Sequence, residues 1–333
     1  MMSDVGRSRP QFSRETEKEQ RLTLIQREAA ALVPSEPRVA IASAERGYYE
    51  LPLLKEPTWT WEIPVYFFIG GAAGTASVIA GIARLTGASP KLVRDARRMS
   101  MVGAVLSPAL LISDLGRPER FLAMLRVFKP QSPMSMGVWI LMGFSAGTSA
   151  ANVGAWLRAR SRFPGVAGFL ESVGDVAALL FGLPFASYTG VLIGATVIPV
   201  WNCNVALLPA HFLVSGLGAS VGALELAGND APALQWLGLG AAAVESAVGV
   251  AIERETNPSE APLKRGSSGW LIRLGGVLSG PIPLALRTAS LFMKPKPATK
   301  LRKYAAVSAL VGSAITRAAW IYAGHVSARG SRP

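Results

Sequence analysis

The chain has 333 residues, 50% of them hydrophobic and only 17% charged, against the quarter or so charged that a soluble chain carries. Mean hydropathy is +0.34, and the apolar residues come in long runs, not in the period-2 or period-3.6 stripes of half-buried elements; this sets aside the two soluble domains that length alone suggests. The net charge of +13 would suit a nucleic-acid partner, but the basic residues sit in short segments between apolar runs, where they answer to anionic lipid headgroups, so no nucleic-acid partner is expected.

Cys203 is the one cysteine, and His211 and His325 are the two histidines. One thiol can neither ligate an iron–sulfur cluster nor close an internal disulfide. A haem would need both histidines, and His325 stands at the very end of the last apolar span. No haem, iron–sulfur cluster or metal is therefore expected in this chain.

Residues 1–57 read as a polar, basic tail without the apolar stretch of a cleavable signal, so the first membrane helix is expected to do the targeting. Within it, SRETEKEQRLTLIQREAAALV either forms an amphipathic helix that docks on a soluble partner or stays disordered. Eight apolar spans follow, judged against the ~20 residues that cross a bilayer: Ile63–Leu85, Met99–Ser113, Met134–Leu157, Gly174–Val200 with a kink at Pro184, Leu207–Ala227, Ala233–Ile252, Trp270–Phe292 and Tyr304–Val326. The seventh is the most interrupted, with Arg273, Arg287, Pro281 and Pro283. Continuous apolar runs argue for helices over a barrel. The expected fold is an all-α integral membrane protein of about eight transmembrane helices in residues 58–327, with 328–333 a short tail.

Gly70 and Gly74, and later Gly218 and Gly222, give the small-xxx-small spacing of close helix contacts. Trp59, Trp61, Trp139, Trp201, Trp236, Trp270 and Trp320 fall near span ends, where interfacial anchoring accounts for most of them. Positive-inside counting favours a cytoplasmic location for the loops after odd-numbered spans, with both termini on the opposite side.

Charge inside a bilayer is costly and asks for a partner or a task. Asp114, Asp175, His211, Glu225, Glu245, Arg287 and Arg317 are the residues in question. His211, Gly218 and Glu225, spaced by seven, share a helix face, with Glu225 about 21 Å further along the axis than His211. That stripe is either a proton route and quinone-facing wall, or an interfacial histidine with a snorkelling glutamate. Glu245 and Arg317 lie mid-span, so Arg317 is expected to pair with Glu245, or failing that with Asp175, as a structural pair or a proton relay. Asp114, Arg117, Glu119 and Arg120 close the second span as a charge-paired cap, a docking surface or the lip of a headgroup pocket.

Four segments taken in order resemble one family. They are Glu56-Pro-Thr-Trp-Thr-Trp-Glu-Ile-Pro-Val-Tyr-Phe-Phe68, Asp114-Leu-Gly-Arg-Pro-Glu-Arg-Phe121, Ser132-Pro-Met-Ser-Met-Gly-Val-Trp139 and Tyr188-Thr-Gly-Val-Leu-Ile-Gly-Ala-Thr-Val-Ile-Pro-Val-Trp201. Together they resemble the NrfD/PsrC family of quinone-interacting membrane anchor subunits, over roughly residues 55–325. The resemblance implies eight helices in two four-helix bundles and a site near the membrane surface for menaquinone or ubiquinone, as quinone or quinol. It implies as partners a four-cluster ferredoxin-like iron–sulfur subunit and a molybdopterin-type catalytic subunit, in the plasma membrane of a prokaryote.

The family's pocket uses a tyrosine late in the fourth span, which Tyr188 matches. It also uses polar residues at the start of the first span; Glu62 stands near that place, where the frequent Asn or His is absent. Arg117 lies within the second of the matching segments. A quinone carbonyl needs a donor, which a phenol or imidazole supplies, and quinol oxidation needs a proton acceptor, for which Asp114, Glu62 and His211 are at hand. Asp175, Glu225 and Glu245 enter only if protons cross the membrane. Two rival readings stand beside an electron-exchanging subunit: a passive anchor without quinone chemistry, and a small-solute or proton transporter.

Overall fold

The computed structural model describes residues 54, 56–115 and 119–330. The tail helix expected around residues 13–33, and Arg117, lie outside them. Among the described residues there is no strand. The long helices are α1 Glu62–Leu85, α2 Pro90–Asp114, α3 Pro133–Ala159, α4 Pro164–Gly194, α5 Leu207–Leu226, α6 Pro232–Arg254, α7 Gly266–Ser279, α8 Pro281–Leu291 and α9 Pro295–Gly330. Short helical turns at 119–124, 199–202 and 258–264 lie between them.

Proline supplies several of the starts. Pro90, Pro133, Pro164, Pro232 and Pro281 each stand in the first turn, where the missing N–H costs no hydrogen bond. Ser132 adds a cap, its hydroxyl accepting from the Ser135 N–H at 3.4 Å. The expected break in the seventh span falls at Gly280, whose non-helical backbone (φ −107°, ψ −92°) separates α7 from α8.

Among the described residues, six segments are long and apolar enough to cross a membrane: α1, α4, α5, α6, the combined α7–α8 segment Gly266–Leu291, and α9. The chain is thus a multi-pass, all-α membrane protein. The helix α2 opens with Lys91, Arg94, Asp95, Arg97 and Arg98, and α3 is rich in glycine, serine and alanine; neither joins the apolar set. Three helices start about ten residues before the apolar runs that announced them: α2 at 90, α4 at 164 and α9 at 295. Charged turns prolong a helix as readily as apolar ones once the charges find partners.

The partners are visible at the 84–97–158–171 end of the first four helices. Arg97 of α2 is buried; it donates to Asp175 at 2.9 Å and to Glu171 at 2.8 Å, both on α4. Arg84 of α1 also reaches Asp175, and Arg158 of α3 pairs with Glu171 at 2.6 Å. Two carboxylates thus hold arginines from three other helices. The helices sort into two sets, α1–α4 and α5–α9, with contacts between them carried by α1, α4, α5 and α9.

Glycine lets the sets close. A side-chain carbon at Gly74 would strike the Gly182 carbonyl of α4, and one at Gly222 would strike the Ala306 backbone of α9. At the seam between sets lies Arg317 of α9, fully buried. It donates to the Phe67 carbonyl of α1 at 2.8 Å, to the Phe212 carbonyl of α5 at 2.8 Å, to Ser215 Oγ at 2.9 Å and to Ser313 Oγ at 2.7 Å. The expected pairing of Arg317 with Glu245 or Asp175 is therefore corrected: backbone carbonyls and serine hydroxyls absorb the guanidinium. Gly71 of α1 leaves it room, since a Cβ there would meet the guanidinium.

At the opposite membrane face, Glu56 accepts from Arg329 at 2.6 and 2.9 Å and contacts His325 Nδ1 at 3.1 Å, tying the segment before α1 to the end of α9. Bonds from Arg329 and His325 hold the Glu56 carboxyl down from 4.5 to about 2. The sign follows: a carboxylate depressed in the folded state contributes stability above pH ~4.5 and loses it as pH falls towards ~2. Protection of the amides at residues 56–61, relative to their intrinsic exchange rates, is expected to fall as pH drops across that window in the native chain, and to be low on both sides of it in Glu56→Gln. At the other face, Arg97→Ala leaves two buried carboxylates short of a partner. It is expected to destabilise by about 3 kcal/mol, as broken buried pairs do, read as a lower thermal midpoint in detergent.

Candidate functional site

The start of α1, the end of α2, the start of α3 and the end of α4 meet at one membrane face around a small cavity of about 70 Å³. Its lining includes Trp59, Tyr66, Asp114, Met124, Met134 and Tyr188. Tyr188 is buried, and its hydroxyl donates to the Pro133 carbonyl at the start of α3. Gly137, one turn on, makes space for the ring; any side chain there would overlap the phenol. Asp114 is half-buried at the last turn of α2. Glu62 is half-buried in the first turn of α1 and accepts from Thr60 Oγ1. Tyr188 and Asp114 therefore line one cavity, with Glu62 on the helix turn beside it.

His211 does not join them. It sits on α5 beyond a run of rings, Tyr66–Phe67–Phe212–His211, whose neighbouring centroids are 5.6–6.0 Å apart. Its ring lies 6.1 Å from Trp320 of α9 and faces a second, larger cavity of about 470 Å³ in the α5–α9 set. There His211 Nδ1 is 3.4 Å from Glu245 Oε1, an ion-pair distance whose angles make no hydrogen bond. Glu245 is held through its other oxygen by Ser279 Oγ at 2.8 Å.

The stripe from His211 to Glu225 is closed at its far end. Glu225 accepts from both Arg287 terminal nitrogens, at 2.9 and 2.7 Å, and Gln235 Oε1 joins at 3.2 Å. Gly238 gives the Arg287 guanidinium its space. Glu225 thus sits in a buried ion pair with Arg287 and does not snorkel to a surface. Of the three deep carboxylates singled out from the sequence, Asp175 and Glu225 sit against arginines, and Glu245 sits against a histidine.

Several contributors escaped the sequence reading. Trp201 and Trp320 are fully buried, not interfacial; the Trp201 indole donates to the Trp320 carbonyl at 2.8 Å, and Trp59 stacks on Trp201 at 5.4 Å. Trp61, Trp236 and Trp270, by contrast, are exposed as expected of anchors. Thr316 and Trp320, at i and i+4 on α9, share the face that lines the larger cavity, a spacing that was available in the sequence. Tyr66, within the first of the family-like segments, proves to be a buried wall of the Tyr188 cavity. Among the described residues no group of three or more His, Cys, Asp or Glu could hold a metal ion.

Comparison with known proteins agrees with the order of motifs. The family model described as "Polysulphide reductase, NrfD" matches residues 54–229, more than half of the chain. The C component of the polysulfide reductase of Wolinella succinogenes is 27% identical over 181 residues, which cover 49% of this chain and 56% of that protein. The match thus spans little more than half the length of that relative.

Proposed function

The chain belongs to the NrfD family, and on that premise we propose that it is the membrane subunit of a multi-subunit oxidoreductase, exchanging electrons between membrane quinone or quinol and a partner's iron–sulfur cluster. The observation that carries the reading is the Tyr188 cavity, where a phenol and a carboxylate meet at one membrane face among four helix ends. The Tyr188 phenol supplies a donor for a quinone carbonyl, and Asp114, with Glu62 nearby, supplies a proton acceptor. Quinone, when bound, supplies the two-electron, two-proton chemistry. Tyr66, Trp59 and Met134 would flank the ring.

The partners follow from the same premise: an iron–sulfur subunit docked over this face, a molybdopterin-type catalytic subunit beyond it, and the plasma membrane of a prokaryote as the setting. Residues 58–327 would form the membrane-embedded part, flanked by polar tails.

One observation favours a passive anchor instead. The cavity is about 70 Å³, well below the ~300 Å³ at which ligand pockets begin, and the Tyr188 hydroxyl is already engaged with Pro133. A quinone ring enters only if the lining gives way; Met124 and Met134 are the unbranched, adaptable side chains there.

Tyr188→Phe separates the two readings. It removes one hydrogen-bond donor, worth ~1 kcal/mol or roughly fivefold in affinity, and is expected to weaken quinol binding by that factor while co-purification of partner subunits persists. Unchanged binding takes Tyr188 out of the pocket. A complex that assembles and binds no quinone at all is a passive anchor.

A further inference from the structure

The larger cavity, in the α5–α9 set, has no part in the reading above. It is about 470 Å³, and helices α5, α6, α7 and α9 converge on it. Its inner end is polar and buried: His211 is 3% exposed, Glu245 2%, Thr316 2% and Trp320 0%. At that end both His211 ring nitrogens, Glu245 Oε1, Thr316 Oγ1 and the Trp320 indole N–H make no hydrogen bond. Orphaned polar atoms are costly in a membrane interior, where each unmet group forfeits its hydration. Five such atoms belong to four residues that line one cavity, and even with His211 Nδ1 and Glu245 Oε1 3.4 Å apart this cluster marks a binding end, not a packing fault.

The outer part is lined by apolar residues, with Glu253, Arg254 and Arg273 at its rim. Val250 of α6 and Val277 of α7 line it and are half exposed, so the cavity opens sideways between these two helices. Gly249 and Gly276 also line it, and a Cβ added at either would meet nothing within 4 Å. They differ from Gly275 and Gly280 beside them, which are pressed against Thr316 and Ser246. The two open glycines keep the passage wide.

We propose that this cavity is a second ligand site, which takes from the lipid phase a neutral amphiphile with a hydroxyl-bearing ring and an apolar tail, a quinol-type molecule. The inner end demands both hydrogen-bond directions: the Trp320 indole can only donate, Glu245 Oε1 accepts, and the Thr316 hydroxyl and the His211 imidazole do either. A ring hydroxyl donates and accepts at once. A fatty-acid carboxylate would confront Glu245, and a charged phospholipid head belongs with Arg254 and the Arg273–Glu253 pair at the rim, not at the buried end. Ligand class is shared with the proposed Tyr188 site; location is not, and each can fail without the other.

The test is photolabelling of the full chain, isolated with its co-purifying subunits, by an azido-benzoquinol with a decyl tail, followed by peptide mapping. Labelling is expected on α6, α7 and α9 near residues 245–254, 272–281 and 316–320, separately from any label around Tyr188. Excess unmodified decyl-tailed quinol should suppress it at least tenfold. Gly276→Leu should abolish it by filling the passage while leaving the thermal midpoint and any label near Tyr188 in place; Gly249→Leu is the second blocking variant should the first fail to fold. Tyr188→Phe should leave it unchanged. Label confined to the Tyr188 helices, or label at α6–α7 that a photoactivatable phospholipid matches and quinol does not displace, overturns the proposal; in the second case the cavity holds lipid. Loss of the Tyr188 label alone defeats only the earlier reading.

Discussion

A single cation at the seam between helix sets organises this protein. Arg317 is completely buried, and its hydrogen bonds run to α1, α5 and its own helix. Such a charge is tolerable only where its donors are met, and here carbonyl dipoles and two serines meet them. The arrangement dictates the sequence around it. Gly71 must be small, Gly216 must be small because α1 backbone lies against it, and Ser215 and Ser313 bond to one another as well as to the arginine. The contact between the α1–α4 and α5–α9 sets thus follows from one guanidinium and the space cleared for it.

The same device recurs. Arg287 lies over Gly238 and bonds to Glu225, and Arg97 reaches across to Asp175 and Glu171. Each arginine binds carboxylates or carbonyls from a different helix, so the polar groups inside the apolar slab are used to choose neighbours. Against that background the His211–Glu245 contact is the exception. It is buried as deeply, yet its atoms are left with spare hydrogen-bonding capacity facing a cavity.

Much of this was legible in the sequence. Continuous apolar runs of bilayer length give α1, α5 and α6 nearly to the residue, because their helices end close to where the apolar run ends. The runs undershoot α2, α4 and α9: Arg97 of α2 and Glu171 of α4 are polar by composition and paired across helices, which one sequence does not show, and the first turns of α9 are basic. Trp201 and Trp320 could not be told from the anchoring tryptophans for a related reason: both kinds occur near span ends, and the Trp201–Trp320 bond separates the cases only in three dimensions. The motif order led to Tyr188 and Asp114, which the fold brings to one cavity. It could not tell that His211, at the same membrane level by chain direction, faces a different one. Glu245 and Arg317 were both identified as deep charges, but mid-span position alone says nothing of which helix face each occupies.

The seam has a consequence for motion. Carriers that work by rocking one half of a membrane domain against the other need an interface whose contacts can slide and re-form. Here the interface is indexed by a guanidinium seated in a glycine notch, with donors aimed at carbonyls on both sides. A shift of one helical turn would strand those donors in a dry slab with nothing to receive them. The two halves are therefore built to stay in register, the donors of the guanidinium fixing one helix against the next.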